Sequence, residues 1–372
     1  MRASTEFAID LYGRLAGTLE NLAFSPLNVF ASLAMAYSGA AGTTAHEMAS
    51  VLHSRALGDD LHQTIGGLLG RLRQAGVAGR PRLEVTNGVW SDESIAFRPP
   101  FVERLSDTYG APLQLVDFVH QAPAARIEIN AWVANDTSNM IRDLLAPGAI
   151  DAATAMVIIS AVFLDASWRS PFDPEATVEA AFTGLDGRIV DVPMMRCVQR
   201  LAYAARANYQ AVELPYVGDD LSMVVIVPDA GRFAEVEARL DAPALDKVFR
   251  SLMHSEVSIG LPRFTLSTKI ELAGALAGLG MVEAFSVRDA NFSGASANEE
   301  LFISVVPHEA HVEVDETGTR ASAATAAVMQ RKGGLKRLVA DRPFLFVVRH
   351  RATSALLFLG RVLDPIGPPV TP

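Results

Sequence analysis

Residues 156–164 read MVIISAVFL, a run that is apolar on both parities and rich in β-branched side chains. Alternate side chains of a strand point to opposite faces, so this segment must be buried on both. It belongs inside a sheet that is covered on either side, and it is far too short to span a bilayer. Half of the 372 residues are apolar and a fifth are charged, which supplies the cover and excludes a disordered chain.

The covering segments come first. Phe7, Leu11 and Leu15 recur at helical spacing beside Tyr12, and Ser25-Pro26 opens a second helical run over 27–37. Thr44 and Glu47 stand at capping-box spacing before another short helix. Leu61, Ile65, Leu68, Leu69 and Leu72 share one face of a helix over 60–73. From Arg82 the period changes: strands are expected over 83–90 and 113–115, with a helix over 101–109 between them. Ile129, Trp132, Val133, Met140, Ile141 and Leu144 predict a helix over 126–145, stopped by Pro147-Gly148. Later segments are mostly strands: a hairpin around Asp186-Gly187, VELPY at 212–216, MVVIVP at 223–228, and a strand signal over 301–364. Helices are expected at 232–250 and 269–280. Helices first and strands after predict an α+β fold with large antiparallel sheets. No linker or composition shift marks a boundary, so residues 1–372 are expected to form a single domain.

The net charge of −10 argues against generic nucleic-acid binding. One cysteine, Cys197, excludes an intramolecular disulfide or a multi-cysteine metal site. The N-terminus has no apolar signal core, so the chain as written is expected to be soluble, unanchored and without a membrane partner. Its compartment stays open: cytoplasmic, or secreted if Met1 is not the natural start. Nucleophile elbows, phosphate-cradling loops, dinucleotide fingerprints and HExxH are all missing from the sequence, so no catalytic residue, metal or cofactor is expected. His308 and His311 are three apart, which in a strand sets them on opposite faces and disfavours a shared metal.

The strand signal near the C-terminus is interrupted by DETGTRASAATAAVMQRKGGLKRLVADRPF at 315–344. By propensity its small-residue run should be a helix. The competing reading is a long exposed loop, small enough to enter a sheet, with Arg331, Lys332, Lys336 and Arg337 near its far end.

The segments Phe24-Ser25-Pro26, Asn130-Ala-Trp132-Val133, Trp168 with Phe172 and Thr177, Glu213-Leu-Pro-Tyr216, Leu261-Pro-Arg-Phe264, Asn291-Phe-Ser-Gly294, Asp315-Glu316-Thr-Gly318-Thr319, Asp341-Arg-Pro-Phe344 and Phe358-Leu-Gly-Arg361 follow in order. Together they resemble the serpin family from about Phe7 to Pro365. The resemblance implies three β-sheets, eight or nine helices and an exposed reactive-centre loop at about 317–340. A target protease would cleave this loop, which would then insert as an extra strand of a five-stranded main sheet. The expected partner is a trypsin-like serine protease and the expected state a monomer. The alternative is a non-inhibitory serpin-fold protein with a binding or chaperone-like role.

Site residues follow from the same resemblance. Counting from Gly318 along a family-typical hinge, and back from Phe344, sets the cleaved bond at Lys332-Gly333, with Arg331 as the competing position. Thr319, Ala321, Ala323 and Thr325 share a parity and would face the core, whereas Arg320 would face solvent. Glu316 ends an apolar row with Val312 and Val314 and is expected to pair with Arg263 at the loop base. Lys336 and Arg337, beyond the bond, either steer an acidic protease surface or keep the loop solvated. Beneath the sheet, the family's opening cluster maps to Ser25, Asn28, Ser160 and His308, with Asn and Ser exchanged between the second and third positions. If Asn28 and Ser160 face each other, the buried polar groups remain satisfied; otherwise sheet opening is altered. Asn139 stands where Gly is usual and is expected to tolerate a left-handed backbone.

Overall fold

The computed structural model describes residues 2–74, 82–297, 301–319 and 334–366. The first half of the chain forms α1 (Arg2–Leu15), β1 (Leu22–Phe24), α2 (Pro26–Tyr37), α3 (Gly42–Val51), α4 (Asp60–Gln74), β2 (Arg82–Asp92), α5 (Pro99–Tyr109), β3 (Leu113–Val116), α6 (Phe118–Asp136) and β4 (Met156–Ser167). Next come β5 (Val178–Thr183), β6 (Ile189–Ala205), β7 (Tyr209–Pro215), β8 (Leu221–Pro228), α7 (Phe233–Ala238), α8 (Ala242–Ser251), β9 (Met253–Pro262), β10 (Phe264–Glu271) and α9 (Ala273–Gly278). The chain closes with β11 (Ile303–Val305), β12 (Pro307–Val314), β13 (Gly318–Thr319), β14 (Lys336–Val339), β15 (Phe344–His350) and β16 (Ala355–Val362).

The doubly apolar run is the centre of the main sheet. Met156, Ile158, Val162, Leu164 and Ala166 enter a large core that includes α1 and α2. Val157, Ile159 and Ala161 enter a second core, roofed by Phe118, Ile129 and Val133 of α6. The main sheet runs β10-β12-β13-β4-β2-β3, with β11 against the start of β4. Its pairings are mixed: β10/β12 and β4/β2 are antiparallel, whereas β12/β4 and β2/β3 are parallel. The remaining strands form one nine-stranded sheet. Two of the three expected sheets are hydrogen-bonded into this one, because the long β6 pairs in turn with β5, β9 and β7.

Several local expectations are corrected. Thr44 and Glu47 do not form a capping box. The Thr44 hydroxyl accepts from Asn291 N at 3.0 Å, and Glu47 accepts from Val282 N and Glu283 N at 2.7 and 2.8 Å, tying α3 to a distant segment. The helix expected over 126–145 begins earlier, at Phe118, and ends at Asp136, where Ser138 and Asn139 take φ of 50° and 63°. The helix over 232–250 breaks before Asp241, whose carboxylate caps α8 through Ala244 N. The helix expected over 269–280 is shorter, since β10 runs to Glu271 and the helix covers only Ala273–Gly278. β1 lies between the first two expected helices, in residues for which no element is expected from the sequence. Its three residues pair with β16, and such a short strand carries no readable period.

Arg361 of β16 is 2% exposed and fastens the N-terminal helix to the last strand. Its guanidinium donates to Glu237 at 2.9 Å, to Glu20 O at 3.0 Å and to Thr18 O, while Tyr12 donates to the same Glu237 carboxylate. Removing one member leaves a buried charge uncompensated. Arg361→Ala is expected to destabilise the native state by about 3–5 kcal/mol in urea unfolding.

Candidate functional site

β12 ends in a turn built by one side chain. The Asp315 carboxylate accepts from Thr317 N, Thr317 Oγ1 and Gly318 N at 2.8, 2.6 and 3.0 Å. An aspartate here substitutes for a turn carbonyl, so the chain reverses at once and runs back antiparallel to β12. The returning residues are Gly318 and Thr319. They lie between β12 and β4, with Thr319 opposite both Val314 and Ala166, and are antiparallel to both neighbours. Glycine is required at the first position, because a Cβ there would lie 2.1 Å from Ala166 O.

Thr319 is fully buried, and its hydroxyl shares a 2.7 Å hydrogen bond with Tyr216. Tyr216 stacks on Trp168 with ring centroids 4.7 Å apart and planes 9° from parallel. Trp168 in turn holds the turn: its indole N–H donates to Asp315 O and its backbone N–H to Thr317 O, both at 2.9 Å. The aromatic pair is therefore the floor on which the returning strand rests.

Glu316, in the same turn, is buried against Arg263. The guanidinium Nε lies 2.8 Å from each carboxylate oxygen, Nη2 lies 2.7 Å from Oε1, and Thr177 donates to the same carboxylate. Burial pushes this carboxyl up, but the hydrogen bonds from Arg263 and Thr177 outweigh it and hold the group below its ordinary value. The ion pair fixes the turn that joins β12 to β13.

Below β13 the seam between β12 and β4 is closed by a short parallel ladder, residues 308–311 against 160–163. His308 sits at its start and is completely buried. Ser25 N donates to His308 Nε2 at 3.0 Å, so the ring proton is on Nδ1, which faces Ser160 O at 2.9 Å and Ser160 Oγ at 3.0 Å. Burial lowers the imidazole to about 4, which keeps it neutral at ordinary pH. Asn28 does not restore the exchanged hydrogen bond in full. Its amide N–H donates to Ala161 O at 2.9 Å, but its buried Oδ1 has no hydrogen-bond partner among the described residues. An unmatched buried acceptor costs about 1–3 kcal/mol.

Two further polar residues complete this cluster and escaped the sequence reading. Ser32 donates between Asn87 Oδ1 at 2.9 Å and Ile159 O at 3.1 Å. Ser32 is one helical turn beyond Asn28, and Asn87 is paired with Ser160 across β2/β4, so spacing alone could have found both. Lys336 and Arg337 are exposed on β14. Ala321, Ala323, Thr325, Arg331, Lys332 and Gly333 lie outside the described residues.

Comparison with known proteins agrees with this architecture. The family model "Serpin (serine protease inhibitor)" matches residues 2–365. A leukocyte elastase inhibitor of Xenopus laevis is 34% identical over 376 residues, covering 98% of both chains. Serpin B6 of Macaca fascicularis is 35% identical with the same coverage. The structure of uncleaved ovalbumin superposes with a TM-score of 0.88 at 27% identity, covering 98% of this chain and 99% of that one.

The state of His308 sets a pH dependence. Its folded value is depressed, so the unfolded chain takes up a proton first, near 6.5. The neutral ring's contribution is complete above about 6.5 and is lost as pH falls toward about 4. Native-state stability is expected to drop by up to about 1.4 kcal/mol per pH unit across this window, and His308→Gln to flatten that slope in urea unfolding measured from pH 7 to 5.

Proposed function

Because this chain belongs to the serpin family of serine protease inhibitors, we propose that it traps a trypsin-like protease as a suicide substrate cleaved between Lys332 and Gly333. The chain is an inhibitor and not an enzyme, so the chemistry is supplied by the protease. The protease serine attacks the Lys332 carbonyl, the Lys332–Gly333 peptide bond breaks, Gly333 leaves as an amine, and Lys332 is held as an ester. Serpin loop insertion is a known case of strand addition. The freed 317–332 segment would span roughly 54 Å as a strand, enough to carry the attached protease away from the top of the sheet. A displacement of about 1 Å can already cost around a hundredfold in catalysis, so the ester would outlast its deacylation machinery.

The observation that carries this reading is the pairing of Gly318 and Thr319 antiparallel to both β12 and β4. The parity of Thr319 would continue inward through Ala321, Ala323 and Thr325, all small. Lysine before the scissile bond suits a specificity pocket that holds an aspartate.

Mixing the protein with trypsin is expected to yield an SDS-resistant complex with the mass of both partners. Lys332→Glu should abolish it, and loss with Arg331→Glu instead would move the bond by one residue. Nicked protein without complex would support the non-inhibitory alternative.

A further inference from the structure

The loop returns to the described fold in β14, the edge strand beside β9 and β6. Register aligns these strands residue by residue. Val198, Ser258 and Arg337 form one row, and Arg200 stands opposite Glu256 and Arg196 opposite Gly260 in the rows on either side. Arg196, Arg200 and Arg337 therefore share one face of this sheet, and all three are exposed. On the other face Cys197 is buried enough to push its thiol up to about 12, and Leu338 and Ile259 are in the core. Lys336 has the parity of Leu338, so it does not belong to the arginine face. It is an edge-strand charge of the kind that discourages strand-to-strand association.

Four strand residues separate Arg196 from Arg200, about 13 Å, and two interstrand steps separate them from Arg337, about 10 Å. None of the three forms an ion pair among the described residues, although Glu256 lies directly across from Arg200. Twelve of the remaining arginines on this acidic chain do find a carboxylate, whereas these three, gathered on one face, find none among the described residues. Three exposed like charges about 10–13 Å apart make a positive patch whose field is strongest at low salt, where the Debye length exceeds this spacing, and such a patch attracts a complementary anionic surface. We infer that the Arg196, Arg200 and Arg337 face is a docking surface for an acidic patch on the target protease. The inference rests on the inhibitor reading for its partner: a protease gripping the loop shortly before β14 is carried directly to this face. Charges at the rim of an interface act mainly on the association rate.

Anionic and cationic trypsins share a lysine-accepting pocket and differ in surface charge, which makes them the appropriate probes. The triple variant Arg196→Ala, Arg200→Ala, Arg337→Ala is expected to inhibit anionic trypsin about 10- to 30-fold more slowly at low salt, with the difference shrinking in 0.5 M NaCl, and to inhibit cationic trypsin no more slowly. Binding to anionic trypsin whose catalytic serine is replaced by alanine is measured alongside. If neither trypsin is inhibited but this binding still weakens in the variant, the inhibitor reading fails and the docking surface stands. Equal rates and equal binding for wild type and variant overturn the inference. So does a loss confined to heparin affinity, which would assign the face to a polyanion.

Discussion

The structure depends on a parallel strand pair, β12 and β4, set at the centre of an otherwise largely antiparallel arrangement. A parallel pair offers both of its inner edges in the same direction. A single strand running the other way can satisfy both at once, whereas it could not join two antiparallel neighbours on equal terms. β12 leads into a turn that sends the chain back in that opposite direction, and Asp315 holds the turn with its own carboxylate. The next strand of the sheet is thus covalently the continuation of the present one. Under the proposed insertion, the other features of the site either hold this seam shut or prepare it for an added strand.

What holds it shut is polar and buried. Apolar packing against β4 is continuous on both faces, so it would persist after an added strand spread the sheet. The contacts of His308 with Ser25 and Ser160 would not, because they span α2, β4 and β12 at one point. A directional network of this kind fixes a geometry more than it lowers the energy. It suits a native state retained by a barrier and not by depth. The incompletely paired Asn28 weakens the network on the α2 side, where Ser32 donates to Asn87 Oδ1 in a second contact one turn further along, although the buried Asn87 amide nitrogen has no partner among the described residues. At the top of the seam the Arg263–Glu316 pair and the Trp168–Tyr216 stack resist a different motion, the withdrawal of the turn.

Much of this was legible in the sequence, and the parts that were not have physical causes. The double-sided burial of 156–164 is a direct consequence of its parity, and its two cores follow from it. Asn139 adopts the left-handed backbone its short amide permits. Periodicity failed where tertiary contacts redirected polar side chains: Thr44 and Glu47 have the spacing of a cap but bind a segment remote in sequence. It failed again at 269–271, where β10 continues to Glu271 because β12 lies beside it as a ready partner, and the expected helix is confined to Ala273–Gly278. Register across three strands, which assembled Arg196, Arg200 and Arg337 on one face, cannot be read from any single segment. The placement of Gly318 and Thr319 between β12 and β4 was visible only as a parity, since the depth of insertion depends on the room that Ala166 leaves.

If β12 and β4 are a seam waiting for a strand, cutting the loop must release a more stable molecule. The direct measurement is the thermal unfolding midpoint before and after limited proteolysis within 320–333. A cleaved form that unfolds tens of degrees higher, with both fragments still associated, is the predicted result. A midpoint that stays the same or falls would contradict the account, because the loop would then gain nothing from the sheet.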